Sequence, residues 1–171
     1  CPAPGRSVAE RESEFVVPPF KMDERFDTTI GISDEVLPPW TPIQAEAVGD
    51  AVTIAVWNRQ YRFGAAPLSE TIISGEELLG AAAGLDLDLE NGAPLTPARI
   101  ELTEALPHRA TVVQRAACAA LEVVAEHHLE YDGFDRVRLS VTALKPATIR
   151  HMTARFPLRR DLATGCVSRI S

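Results

Sequence analysis

The sequence predicts a mostly β domain preceded by an extended, proline-rich segment. Three observations carry that expectation. Leu85-Asp86-Leu87-Asp88-Leu89-Glu90 alternates strictly between leucine and acid and runs into Asn91-Gly92, a dipeptide favoured in type I′ hairpin turns. Arg136 to Ala143 alternates charge or hydroxyl with apolar residues, the period of a half-buried strand. Val52-Thr53-Ile54-Ala55-Val56-Trp57-Asn58 is rich in the β-branched side chains that fit a pleated surface.

Residues 1–42 hold Pro2, Pro4, Pro18, Pro19, Pro38, Pro39 and Pro42. Each proline fixes φ and removes a ladder donor, so this stretch reads as an extended segment or linker. Glu14-Phe15-Val16-Val17 is a short strand candidate within it, and Leu37 to Pro42 reads as a rigid connection anchored by Trp40. The domain proper is expected over residues 43–171.

After the Val52–Asn58 strand, Gln60-Tyr61-Arg62-Phe63-Gly64 alternates polar and aromatic residues and reads as a second strand or the return arm of a hairpin. The polar pair Asn58-Arg59 marks the turn between them. Leu68 to Ile73 and Glu77-Leu78-Leu79 are short apolar runs around Ser74-Gly75.

Residues 111–128 are ambiguous. Val112, Val113, Ala116, Ala117, Ala120, Leu121, Val124, Ala125 and His128 fall on one face of a 3.6-residue period, and alanine is the best helix former. Read by periodicity alone, this is a single amphipathic helix. The competing reading splits the stretch into two strands meeting near Ala119. Leu121, Val123, Ala125, His127, Leu129 and Tyr131 then line one face, with Glu122, Val124, Glu126, His128 and Glu130 opposite. Asp132-Gly133 marks a turn, Lys145-Pro146 breaks the next strand, and Thr148 to Phe156 alternates again, with Arg150, Met152, Ala154 and Phe156 on one side.

At 171 residues, with 46% hydrophobic and 24% charged residues, the chain has the composition and length of one globular domain. A formal charge of −7 argues against nucleic-acid binding, which needs a basic surface to displace counterions from phosphates. Arg150, His151, Arg155, Arg159 and Arg160 form the densest basic cluster, but Asp161 follows directly and a solvated strand face accounts for it. No stretch approaches the ~20 apolar residues of a membrane-spanning helix.

Catalytic signals are scarce. Asp86-x-Asp88-x-Glu90-Asn91-Gly92 has the look of a calcium loop, but glycine falls at the seventh position and Pro97 at the twelfth, where such a loop needs the sixth and a bidentate acid. The acids therefore read as a solvated strand face. His127 and His128 point to opposite faces of a strand, or about 100° apart on a helix, so the pair does not chelate one metal. A metal site would have to recruit His108 or His151. No nucleophile elbow, phosphate-cradling glycine loop or dinucleotide fingerprint is present. No catalytic residue, metal ligand or cofactor site is assigned. Trp40, Trp57, Tyr61 and Tyr131 are the candidate carbohydrate contacts, because flat aromatic faces stack on sugar C–H faces. The ordinary use of such residues is packing.

Cys118 and Cys166 are candidates to pair, although each reads by default as an isolated buried thiol. Cys1 suggests either a fragment boundary, the favoured reading, or the lipid-modified end of a bacterial lipoprotein.

The order of several short motifs resembles proteins akin to glycoside hydrolase family 123, large bacterial glycoside hydrolase-like proteins. The motifs are Val36-Leu37-Pro38-Pro39-Trp40-Thr41-Pro42-Ile43, Val56-Trp57-Asn58-Arg59-Gln60-Tyr61-Arg62-Phe63, Gly75-Glu76-Glu77-Leu78-Leu79, Leu129-Glu130-Tyr131-Asp132-Gly133-Phe134 with Val137-Arg138-Leu139, and Phe156-Pro157-Leu158. They span residues 36–160, with a poor match over 80–115. Asn58 stands where the family commonly has glycine, at a turn position where Asn tolerates φ > 0. The resemblance implies an antiparallel β-sandwich that accompanies a separate (β/α)8 catalytic domain. That domain holds the catalytic acids, so no residue here inherits a catalytic role. It favours strands over a helix at 110–130. By analogy it implies a secreted or periplasmic module of a carbohydrate-active protein. A stand-alone carbohydrate-binding module and a structural or assembly protein are the alternatives.

Overall fold

The computed structural model describes residues 34–90, 94–97 and 99–162. The expected strand at Glu14–Val17, the Asn91-Gly92 turn, and the readings of Cys1 and Cys166 lie outside these residues. The described part is built from eleven antiparallel strands and contains no helix. No helix there is thus long and apolar enough to cross a membrane.

The first sheet is a meander of β1 (Gln44–Val48), β2 (Ala51–Val56), β3 (Arg59–Phe63), β4 (Ser69–Ser74) and β5 (Glu76–Glu77), hydrogen-bonded in chain order. The second places β7 (Arg99–Ala105), β8 (Arg109–Ala117), β9 (Leu121–Glu130) and β10 (Asp135–Ala143) side by side. A two-stranded ribbon joins β6 (Gly84–Leu89) to β11 (Ile149–Arg155). Beyond β11, Leu158 bridges to Leu79 and ties the ribbon's end to the first sheet's last connection.

Alternation explains which side of each sheet is dry. In β2, Val52, Ile54 and Val56 are buried, and in β3 Tyr61 and Phe63. They pack as one cluster with Ala110, Val112 and Leu129 from the second sheet. Each large apolar side chain so buried contributes about 1.5–3 kcal/mol. Leu68, Leu79 and Ala83 form a second cluster, against which Val137 and Leu139 of β10 pack. The architecture is an antiparallel β-sandwich.

The single helix over 111–128 does not form. A helix would bury Val124 and His128 and leave Val123 and His127 outside. Instead Leu121, Val123, Ala125, His127 and Leu129 are buried, and the intervening residues face outward. Chain pairing decides this. Strand β8 lies between β7 and β9, and β9 between β8 and β10, so both backbone edges find partners. That outweighs the intrinsic preference of a few alanines. The turn is Cys118-Ala119-Ala120, closed by Cys118 N–H donating to Leu121 O at 2.8 Å.

Three details differ from expectation. The β2–β3 loop is Trp57-Asn58 rather than Asn58-Arg59, because Val56 pairs with Arg59. Strand β7 was not expected, although Ile100 and Leu102 alternate with polar residues and pack on the core. In β11 a register shift between Ile149 and His151 sets Ile149 opposite Leu89. Ile149, rather than Arg150, therefore shares a face with Met152 and Ala154.

Candidate functional site: the aromatic loop end

Four chain segments converge at one end of the sandwich: the approach to β1, the β2–β3 turn, the β7–β8 turn and the β9–β10 turn. Ile43 N–H donates to Pro107 O at 2.8 Å, and Tyr131 N–H to His108 O at 3.0 Å. These bonds fasten the first, third and fourth segments together. Arg59 Nη1 and the Tyr61 hydroxyl both donate to Gly133 O, at 3.2 and 2.7 Å, which fastens the second to the fourth.

The Asp132-Gly133 turn forms where expected. Asp132 Oδ1 accepts from Phe134 N–H at 2.8 Å, the local bond that makes Asp a turn former. Gly133 has φ +87°, and a Cβ there would stand 2.9 Å from Arg59 Nη1. The backbone conformation therefore calls for glycine, and a Cβ would also push the Arg59 guanidinium aside.

The four aromatic candidates have different fates. Tyr61 is buried, its ring in the core and its hydroxyl bound to Gly133 O. Burial pushes its phenol pKa up; Arg59 offsets this in part, and the charges of Asp135 and Asp132 add to it. Trp40 and Tyr131 are half-buried and meet edge to face, with ring centroids 5.7 Å apart at 72°. Trp57 is 52% exposed. It adopts φ +34°, and it alone of the two loop residues has positive φ. That is the pattern of a type II′ turn, whose first central position normally takes glycine.

Two features of this end were not found from the sequence. Phe134 is 58% exposed, directly beside the Asp-Gly turn. Beneath the loops, His127 is 1% exposed and its Nδ1 lies 3.0 Å from Asp135 Oδ2. Its ring packs on Phe63 with centroids 4.6 Å apart. His127 Nε2 and Asp135 Oδ1 find no hydrogen-bond partner among the described residues. The inward register of β9 carried the His127 signal, but Asp135 lies diagonally across the β9–β10 ladder and is visible only once the register is known. His127, sealed under Phe63, thereby ties the half-buried Asp135 at the start of β10 beneath the turn.

A second polar tie crosses between the sheets. Gln114, fully buried on β8, donates through Nε2 to Gly64 O at 2.9 Å and also to Ala66 O. It pins the β3–β4 connection to the second sheet. His128, on the outer face of β9, lies 3.3 Å from the Thr111 hydroxyl. Among the described residues no group of three or more His, Cys, Asp or Glu side chains is placed to hold a metal ion. The loop end can thus offer open aromatic faces, those of Trp57 and Phe134, beside the Asp132 carboxylate and Arg59.

No family model, curated protein or solved structure matches this chain.

Proposed function

We propose that the chain is a non-catalytic accessory β-sandwich module of a larger carbohydrate-active protein, docking against a (β/α)8 catalytic domain outside the cell. Two things support the reading: the order of motifs akin to glycoside hydrolase family 123, and an antiparallel sandwich of the kind that order implies. The observation that carries the docking role is an uncovered apolar row. Ile149, Met152, Phe156 and Leu158 are each 40% exposed or more along β11 and its continuation, and contiguous exposed apolar side chains mark interaction surfaces. The test is the mass of the native protein in its source cells, detected with an antibody to this segment. A species several-fold larger than 18.6 kDa is expected. A species of that mass would sink the accessory reading.

A second reading, a carbohydrate-binding module in its own right, is favoured by one observation. Trp57 holds a strained backbone conformation and presents its ring to solvent, and backbone strain tends to be retained at sites of use. Affinity electrophoresis through gels carrying soluble polysaccharides tests it: retardation by one of them that Trp57→Ala abolishes would favour this reading.

A further inference from the structure

We propose that the free edge of β11 accepts a partner's extended segment, alternating apolar and acidic residues, as a third strand of the ribbon. The inference rests on the accessory-module reading and names the chemistry of its docking surface. Among the described residues strand β11 pairs with β6 and no other strand, and all seven of its residues are exposed. A two-stranded ribbon is marginal by itself, and an unpaired edge is a template for another strand.

The occupied edge shows what β11 selects. On one face Ile149, Met152 and Ala154 lie opposite Leu89, Leu87 and Leu85. On the other, His151 and Thr153 lie opposite Asp88 and Asp86, and Arg155 Nη2 bonds Asp86 Oδ1 at 2.9 Å. Side chains of a strand stand between its two neighbours, so the free edge offers the same two rows. One row is apolar and uncovered, with Ile149 40% and Met152 54% exposed although Leu89, opposite Ile149, is buried. The other carries His151 and Arg155, whose guanidinium is already shared with Asp86 through Nε and Nη2 and has Nη1 left to offer. A complementary strand alternates leucine-like and acidic residues, as β6 does. A second copy of β11 is a poor occupant, since antiparallel self-pairing about Thr153 would set His151 against Arg155 and bring no acid to either.

The probe is a fluorescent peptide carrying Leu-Asp-Leu-Asp-Leu-Glu, the sequence of residues 85–90, titrated into the full chain by anisotropy. Saturable binding is expected. A peptide with lysine at the three acidic positions should bind about tenfold more weakly, because like charges then face each other across the strands. Met152→Glu, at an exposed position, should weaken the acidic peptide while leaving the circular dichroism spectrum unchanged. Hydrogen exchange separates addition from strand replacement: β11 amides should slow while β6 amides stay protected. Absent binding, equal binding of both peptides, or faster β6 exchange would each overturn the proposal. So would a dimer of the chain alone that Met152→Glu dissociates, because a second copy would then own the edge. These results are independent of the native-mass measurement. A large native species with no peptide binding refutes the edge alone, and a small one with specific binding refutes the accessory reading alone.

Discussion

Trp57 and Tyr61 stand four residues apart on one hairpin and are used in opposite ways. Trp57 occupies the first loop position at φ +34°, where a bulky side chain costs about 1–3 kcal/mol. Replacement by glycine removes that strain but adds freedom to the unfolded chain. Trp57→Gly should therefore stabilise the fold by about 1 kcal/mol in urea unfolding; a loss of stability would show that the ring packs in a way its exposure denies. Tyr61 gives its hydroxyl to Gly133 O. Tyr61→Phe should cost about 1–2 kcal/mol at neutral pH, the effect of losing one buried hydrogen bond. The phenol's folded pKa is raised above 10.0, chiefly by burial. Its contribution is therefore complete below the unfolded value and declines as pH rises through the folded one. The wild type should lose more stability than Tyr61→Phe between about pH 9 and 11.

Strand β9 gives the sharpest test among the elements, because helix and strand readings exchange the roles of neighbouring residues. Val123 is fully buried and Val124 is outward and half-buried. Val123→Lys should cost more than about 3 kcal/mol, from an unpaired charge in the core. Val124→Lys should cost less than about 1 kcal/mol. Urea midpoints of the two variants decide the matter, and a helix would reverse their order. The strands β6 and β10 were legible because each alternates within a single run of residues, and β2 because of its β-branched side chains. The pair β8–β9 was not legible from period alone, since Ala116, Ala117, Ala120 and Ala125 suit a helix, and the burial of Ala116 and Ala125 in strands depends on sheets that the local sequence does not contain. Gln114 was overlooked for a related reason. Its partners at Gly64 and Ala66 lie about fifty residues away.

For the whole molecule, exposed arginines pair with carboxylates at the surface. Arg155 holds Asp86 across the ribbon, Arg109 holds Glu104 across the β7–β8 hairpin, and Arg159 holds Asp161. In each case the arginine's hydrogen bond is the main reason the carboxyl pKa lies below its usual value of 3.8 for Asp or 4.5 for Glu. A depressed folded pKa means a contribution that is present above the unfolded value and lost as pH falls through the folded one. An Asp86→Asn, Glu104→Gln double variant should thus be slightly less stable than wild type at neutral pH. The two urea midpoints should converge as pH drops from about 5 to 3. Because the groups are exposed, added salt should shrink the neutral-pH difference; a difference indifferent to salt and pH would show that these pairs contribute nothing.

The sequence by itself determined that this is a β protein, where its turn at Asp132-Gly133 falls, and which face of β6 is leucine. Those properties are local: a two-residue period and a turn dipeptide need no distant partner to be read. Tertiary structure decided, against the local period and in line with the motif order, that residues 111–128 are two strands; it alone decided that Tyr61 is core while Trp57 is open, that His127 meets Asp135, and that β11 joins β6. Each of these depends on register between segments apart in the chain, and shifting a strand by one residue exchanges its buried and exposed faces.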